Sequence, residues 1–116
     1  MTQQEWPSDW MRGVLELAVM RVLADRPSYG YAIAGRLRDA GLGEPRGGTL
    51  YPLLTRLEAS GDVLSEWRAG DGGPGRKYFA ITPAGRERFA RLSEQWRGFT
   101  TVTTFITTPS KEQHHA

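Results

Sequence analysis

Four leucines, Leu50, Leu53, Leu54 and Leu57, recur at i, i+3, i+4 and i+7 and place one apolar stripe along a helix of 3.6-residue period. That stripe requires a core. The opposite face carries Thr49, Tyr51, Pro52, Thr55 and Arg56, which bring hydroxyls, a ring and a guanidinium but no carboxylate, a set suited to an anion. Gly61 is placed to close the helix, and Asp62-Val63 leads into an extended segment. Proline is tolerated best in a first turn, so the helix either starts near Thr49, with that hydroxyl as cap, or bends at Pro52. Either way the Gly47-Gly48-Thr49 end is a helix N-terminus with free N–H groups, a place that favours a phosphate.

Upstream, Ser8 or Asp9 is expected to cap a helix to about Ala24, with Met11, Val14, Leu15, Ala18, Val22 and Leu23 on its apolar face. Ser28 is expected to cap a second helix, Tyr29 to about Ala40, buried through Ile33 and Leu37. The glycine- and proline-rich run 41–48 then connects to the leucine-striped helix. Three short helices of this kind describe a helix-turn-helix. Downstream, 63–68 and 76–82 alternate as strands around a turn at 69–75, with Leu64 and Tyr78 to Ile81 as their apolar content. Arg68, Arg76 and Lys77 ring that turn with positive charge, which makes the hairpin a basic wing. Thr82-Pro83 reads as cap and first-turn proline of a last helix. Along it Phe89, Leu92, Trp96, Phe99, Thr103 and Ile106 step by threes and fours, a seam that calls for a second copy of the chain. The β-branched run TTVTTFITT at 100–108 weakens helix there, and Pro109 ends it. The fold class expected is mainly α with a small β-hairpin: a winged helix-turn-helix over 1–82, a dimerisation helix over 83–108 and a disordered tail over 109–116.

At 116 residues the chain suits one domain. Hydrophobic residues at 39% and charged residues at 24% are ordinary for a soluble protein, and no apolar run is long enough to span a bilayer. The first residues lack a basic start and an apolar stretch, so the expected location is the cytoplasm. The absence of cysteine removes disulfides, thiolate nucleophiles and Cys-based metal sites. The only histidines, His114 and His115, lie in the tail, which leaves the domain without a His base, a triad or a metal cluster, so neither enzyme activity, cofactor nor metal is expected. Net charge is only +2, but 13 arginines stand against 2 lysines, and guanidinium is the better ligand for phosphates and base edges. A GC-rich genome produces the same bias without functional cause. Of the aromatic residues, Tyr29 is expected outside and Tyr31 inside, and Trp67 is read as packing over a small core. Trp6 and Trp10 flank Pro7, either as packing or as a cover for a dimer or a ligand.

The segments SYGYAIAGRL at 28–37, GTLYPLLTRLEASGDV at 48–63 and GPGRKYFAITPAG at 73–85, in that order, resemble the PadR family of winged-helix transcriptional regulators, over about Val14 to Trp96. The chain is similar to the shorter branch of that family, with a single C-terminal helix. The resemblance implies a homodimeric repressor that binds double-stranded DNA, with Thr49, Tyr51, Pro52 and Arg56 near the duplex and Arg76 and Lys77 at the wing; Tyr29, Arg46 and Gly48 are expected beside them. Where family members commonly carry a proline, this chain has Gly47. Dimerisation is expected through Phe89, Leu92, Trp96, Phe99 and Ile106. Trp96 either fills the dimer core or, as the resemblance implies for some members, flanks a gap that takes a planar aromatic effector, with Leu15, Ala18 and Val19 as walls and Phe99 beside it. The competing reading is a winged-helix module that grips a protein, its basic face incidental.

Overall fold

The computed structural model describes residues 5–70 and 72–110, and the tail expected at 109–116 lies outside it from residue 111 onward. Its order is α1 (Ser8–Asp25), β1 (Ser28–Tyr29), α2 (Gly30–Asp39), α3 (Gly47–Ala59), β2 (Val63–Gly70), β3 (Gly73–Ile81) and α4 (Pro83–Thr107). All three strands form one antiparallel sheet in the order β1-β3-β2.

The core sits where α1, α2, α3 and the base of the sheet converge. Leu50, Leu53, Leu54 and Leu57 are all buried, as their spacing predicts. From α1 come Leu15, Val19, Met20, Val22 and Leu23, a wider arc than one stripe. The reason is position: α1 packs against α2, β3 and α4 at once, so it has little solvent face in its second half. An ion pair ties it to α2, since the Asp25 carboxylate accepts from Arg36 at 2.8 Å, and within α1 the same carboxylate accepts from Arg21 one turn earlier. These bonds, Arg36 first, hold the Asp25 carboxyl below its ordinary pKa.

Helix starts differ from expectation in three places. No side chain caps α1: the Pro7 carbonyl opens the ladder by accepting from the Trp10 and Met11 amides, while Asp9 pairs with Arg12 within the first turn. Ser28 and Tyr29 are strand rather than helix, because pairing with Phe79 and Tyr78 of β3 satisfies their backbone and delays α2 to Gly30. The third helix starts at Gly47 with Arg46 as its N-cap, so Thr49 lies inside the first turn and Pro52 within the helix. Pro52 removes the N–H that would have bonded the Gly48 carbonyl.

The end of α3 follows the expected chemistry. Gly61 has φ 84°, its amide donates to the Glu58 carbonyl at 3.1 Å, and the Asp62 amide donates to that of Leu57 at 2.9 Å, a Schellman closure. In the hairpin, Val63 pairs with Ile81 and Ser65 with Phe79, and this face is buried. Leu64 belongs to the other face, 66% exposed, and so gives the core nothing. The strands also run further toward the tip than expected, to Gly70 and from Gly73.

Thr82 caps α4 as expected, accepting from the Gly85 amide at 2.9 Å, and its hydroxyl donates to the Gly61 carbonyl at 2.7 Å. One turn later Arg88 donates to Asp62 at 2.8 Å and to Glu16 at 2.9 Å. Phe89 and Leu92 pack against the core, which therefore continues across residue 82 into α4. The threonine-rich run stays helical to Thr107. Its hydroxyls bond back to carbonyls of their own helix, as Thr101 does to Arg97 at 3.0 Å and Thr107 to Thr103 at 2.7 Å.

Gly85 is the tightest point of this docking. A Cβ there would lie 2.1 Å from the Asp62 carbonyl oxygen and 2.8 Å from Ile81 Cγ1. Gly85→Ala is expected to destabilise the fold by at least about 2 kcal/mol, as overpacking against backbone does. Urea unfolding checks it: the midpoint should fall while the slope stays constant.

Candidate nucleic-acid interface

The face of α3 turned away from the core carries Thr49, Tyr51, Pro52, Thr55 and Arg56, all exposed, and Arg46, Gly47 and Gly48 continue it at the N-terminal end. Arg46 and Arg56 form no ion pair among the described residues. The helix thus offers two uncompensated guanidiniums, hydroxyls and the N–H groups of its first turn on one side.

Tyr29 and Arg76 are brought together by the sheet. Tyr29 pairs with Tyr78, their rings 5.2 Å apart, and the Arg76 guanidinium lies 4.6 Å above the Tyr29 ring and donates to its hydroxyl at 3.3 Å. On the same sheet face Arg68 covers Tyr78 at 4.1 Å and pairs with Glu66. The wing cations are therefore held in place by aromatic rings. Lys77 differs: it lies on the opposite face, 3.7 Å from the Glu58 carboxylate of α3, so part of its charge is spent on holding the wing to that helix.

Three aromatic residues stand elsewhere than the sequence indicates. Tyr31 is 77% exposed, whereas Tyr29 is half-buried beneath Arg76. Because α2 starts only at Gly30, Tyr31 is its second residue and is turned away from the buried face of Gly30, Ile33, Ala34 and Leu37. Trp67 shares the sheet face of Val63 and Ser65, yet it is 72% exposed, since at that height the hairpin has passed the end of the core. The alternation identifies the face but carries no signal for where the core stops. Tyr51 rests on α2: a Cβ at Gly30 would lie 2.3 Å from its hydroxyl.

On the other side of the molecule α4 runs past the core. Phe99, Val102, Phe105 and Ile106 are each more than half exposed, so the outer end of the seam includes Val102 and Phe105 beside the expected positions. Trp96 is half-buried, its ring 5.5 Å from that of Phe99, and the two border a shallow groove of about 230 Å³. The wall from α1 is Gly13, Glu16 and Leu17. Leu15 and Val19 are buried in the core and Ala18 packs against it, so these three do not line the groove. Trp6 donates its indole N–H to the Gly41 carbonyl at 2.9 Å and fastens the chain ahead of α1 to the end of α2, while Trp10 is 64% exposed.

The family model described as "Transcriptional regulator PadR-like family" matches residues 19–91. Among curated proteins, the transcriptional regulator Rv3488 of Mycobacterium tuberculosis is 39% identical over 89 residues, 77% of this chain and 78% of its own. Among solved structures, a PadR family transcriptional regulator from Eggerthella lenta superposes with a TM-score of 0.72 at 35% identity, covering 88% of this chain and 89% of that one. A transcriptional regulator from Clostridium thermocellum gives 0.79 at 28% identity, covering 89% and 99%. With its helix-turn-helix, its hairpin and these relatives, the chain belongs to the PadR-like family of winged-helix transcriptional regulators, which bind DNA and are not enzymes.

Proposed function

We propose that the protein is a repressor that binds an inverted-repeat operator as a homodimer, with α3 in the major groove and the hairpin against the backbone. The observation that carries this reading is the outer face of α3, where Thr49, Tyr51, Pro52 and Arg56 are exposed beside a wing whose arginines are fixed on tyrosine rings. The dimer is supported by the exposed apolar end of α4, since Phe99, Val102, Phe105 and Ile106 are costly to leave in water on one helix. A second copy is the simplest cover, and two-fold pairing presents two copies of α3 to half-sites about one helical turn apart. The groove beside Trp96 and Phe99 is then closed by the partner and takes a planar aromatic effector, whose binding releases the operator.

Selection of bound sequences from a random duplex pool is expected to return an inverted repeat. If Arg46, Arg56 and Arg76 of both subunits meet phosphates, log affinity should fall against log salt with a slope of about −5. Arg56→Ala should weaken binding and flatten that slope by about one contact per subunit. A flat salt dependence in the unmodified protein would transfer the α3 face to a protein partner.

Phe99→Ser combined with Ile106→Ser should give a folded monomer, because neither side chain contributes to the core. Sedimentation velocity checks it; a wild-type protein that is already a folded 13.0 kDa monomer would refute the dimer. For the effector, quenching of Trp96 fluorescence by planar aromatics is expected in a variant with Trp6, Trp10 and Trp67 replaced by phenylalanine. No quenching by any of them would leave Trp96 as dimer packing.

A further inference from the structure

Tyr31, Tyr51 and Trp67 are 77%, 52% and 72% exposed, and all three border one open cleft of about 580 Å³ between α3 and the wing. The cleft exists because β1 ends at Tyr29, opposite Tyr78, which leaves the edge of β3 from Gly75 to Lys77 with no strand beside it. Trp67 has a defined seat on this floor. Gly75 is its diagonal neighbour on the same sheet face, and a Cβ there would lie 3.7 Å from the indole Cε3 and 3.0 Å from the Arg68 carbonyl. The indole edge thus lies beside Gly75 at ordinary contact range, and the tight approach there is to the Arg68 carbonyl of the neighbouring strand. Arg76 and Lys77 stand at the rim, and among the described residues no carboxylate lines the cleft.

An indole and two phenols exposed together beside an arginine match a polyanion that also offers apolar edges. The cleft is continuous with the outer face of α3, through Tyr51, and with the wing, through Arg76. A duplex whose major groove holds α3 brings one sugar–phosphate strand across this gap. We propose that the cleft seats that strand, with the Trp67 indole against a deoxyribose, the Tyr31 and Tyr51 hydroxyls donating to a phosphate, and Arg76 compensating its charge. The inference rests on the DNA-binding reading above. Such contacts touch no base edge, so they fix register without reading sequence.

Trp67→Ala should therefore weaken binding to the selected operator and to a random duplex by the same factor, about tenfold for each lost aromatic contact and so about a hundredfold for the two lost per dimer. Its salt slope should match wild type, since an indole displaces no counterion, in contrast to Arg56→Ala. Trp67→Phe should retain near wild-type affinity, and thermal unfolding of Trp67→Ala should be unchanged because the ring is outside the core. Fluorine NMR of fluorotryptophan-labelled full-length protein gives a direct readout, with the Trp67 line assigned by its loss in Trp67→Phe. That line should shift on saturation with either duplex.

A Trp67 line that stays in place in a saturated complex overturns the proposal, as does wild-type affinity in Trp67→Ala or a loss confined to the operator. A line that moves with protein concentration alone would mean that a second copy covers the cleft, and would overturn it too. If the unlabelled wild-type protein binds no duplex at all, the DNA-binding reading itself fails. Binding with an unmoved Trp67 line removes only the present inference.

Discussion

The structure depends on the ion pair between Arg88 and Asp62. Asp62 is the one charged residue buried among those described, at 6% exposure, and a buried carboxylate is tolerable only when its lone pairs are met. Arg88 meets one oxygen at 2.8 Å, and the Ser60 hydroxyl donates to the same oxygen at 2.9 Å. The second arm of the guanidinium reaches Glu16 on α1. One side chain of α4 thus joins the turn that closes α3 to the helix that runs through the core.

Around that pair the backbone is equally constrained. The Thr82 amide donates to the Asp62 carbonyl at 2.9 Å, the Thr82 hydroxyl bridges to Gly61, and Gly85 passes so close to Asp62 that no side chain fits. The C-terminus of α3 and the N-terminus of α4 therefore behave as one joint. Its tightness fixes α3 relative to the helix whose far end carries the exposed apolar residues. The polar face of α3 and the exposed outer end of α4 are thereby held in a set relation.

The interface follows a second constraint, the shortness of β1. Two residues of pairing are enough to place Tyr29 beside Tyr78 and beneath Arg76, and the chain then turns into α2. Stopping there opens the gap beside β3 and puts Tyr31 and Tyr51 opposite Trp67. Three tyrosines and a tryptophan at scattered positions become neighbours through sheet register together with the packing of α2 and α3.

Much of this was legible without coordinates. The leucine stripe of α3, Gly61 at its end, the Thr82-Pro83 start of α4 and the hairpin between them rest on local chemistry: helical period, a positive-φ position and a capping hydroxyl. The three ordered motifs likewise identified the family to which the chain belongs. Apart from the starts of α1 and α3 and the helical threonine-rich run, the outcomes that differed involve partners distant in sequence. Ser28 and Tyr29 joined a strand because β3 offered hydrogen bonds about fifty residues away, which also reversed the positions expected of Tyr29 and Tyr31. Val19 turned into the core because α1 is enclosed by three elements, which also keeps Leu15, buried as its spacing predicts, from the groove beside Trp96; Trp67 came out into solvent because the hairpin outruns the core. Periodicity determines which residues share a face; only the packed structure determines what, if anything, that face meets, because burial depends on neighbours that the local pattern does not contain.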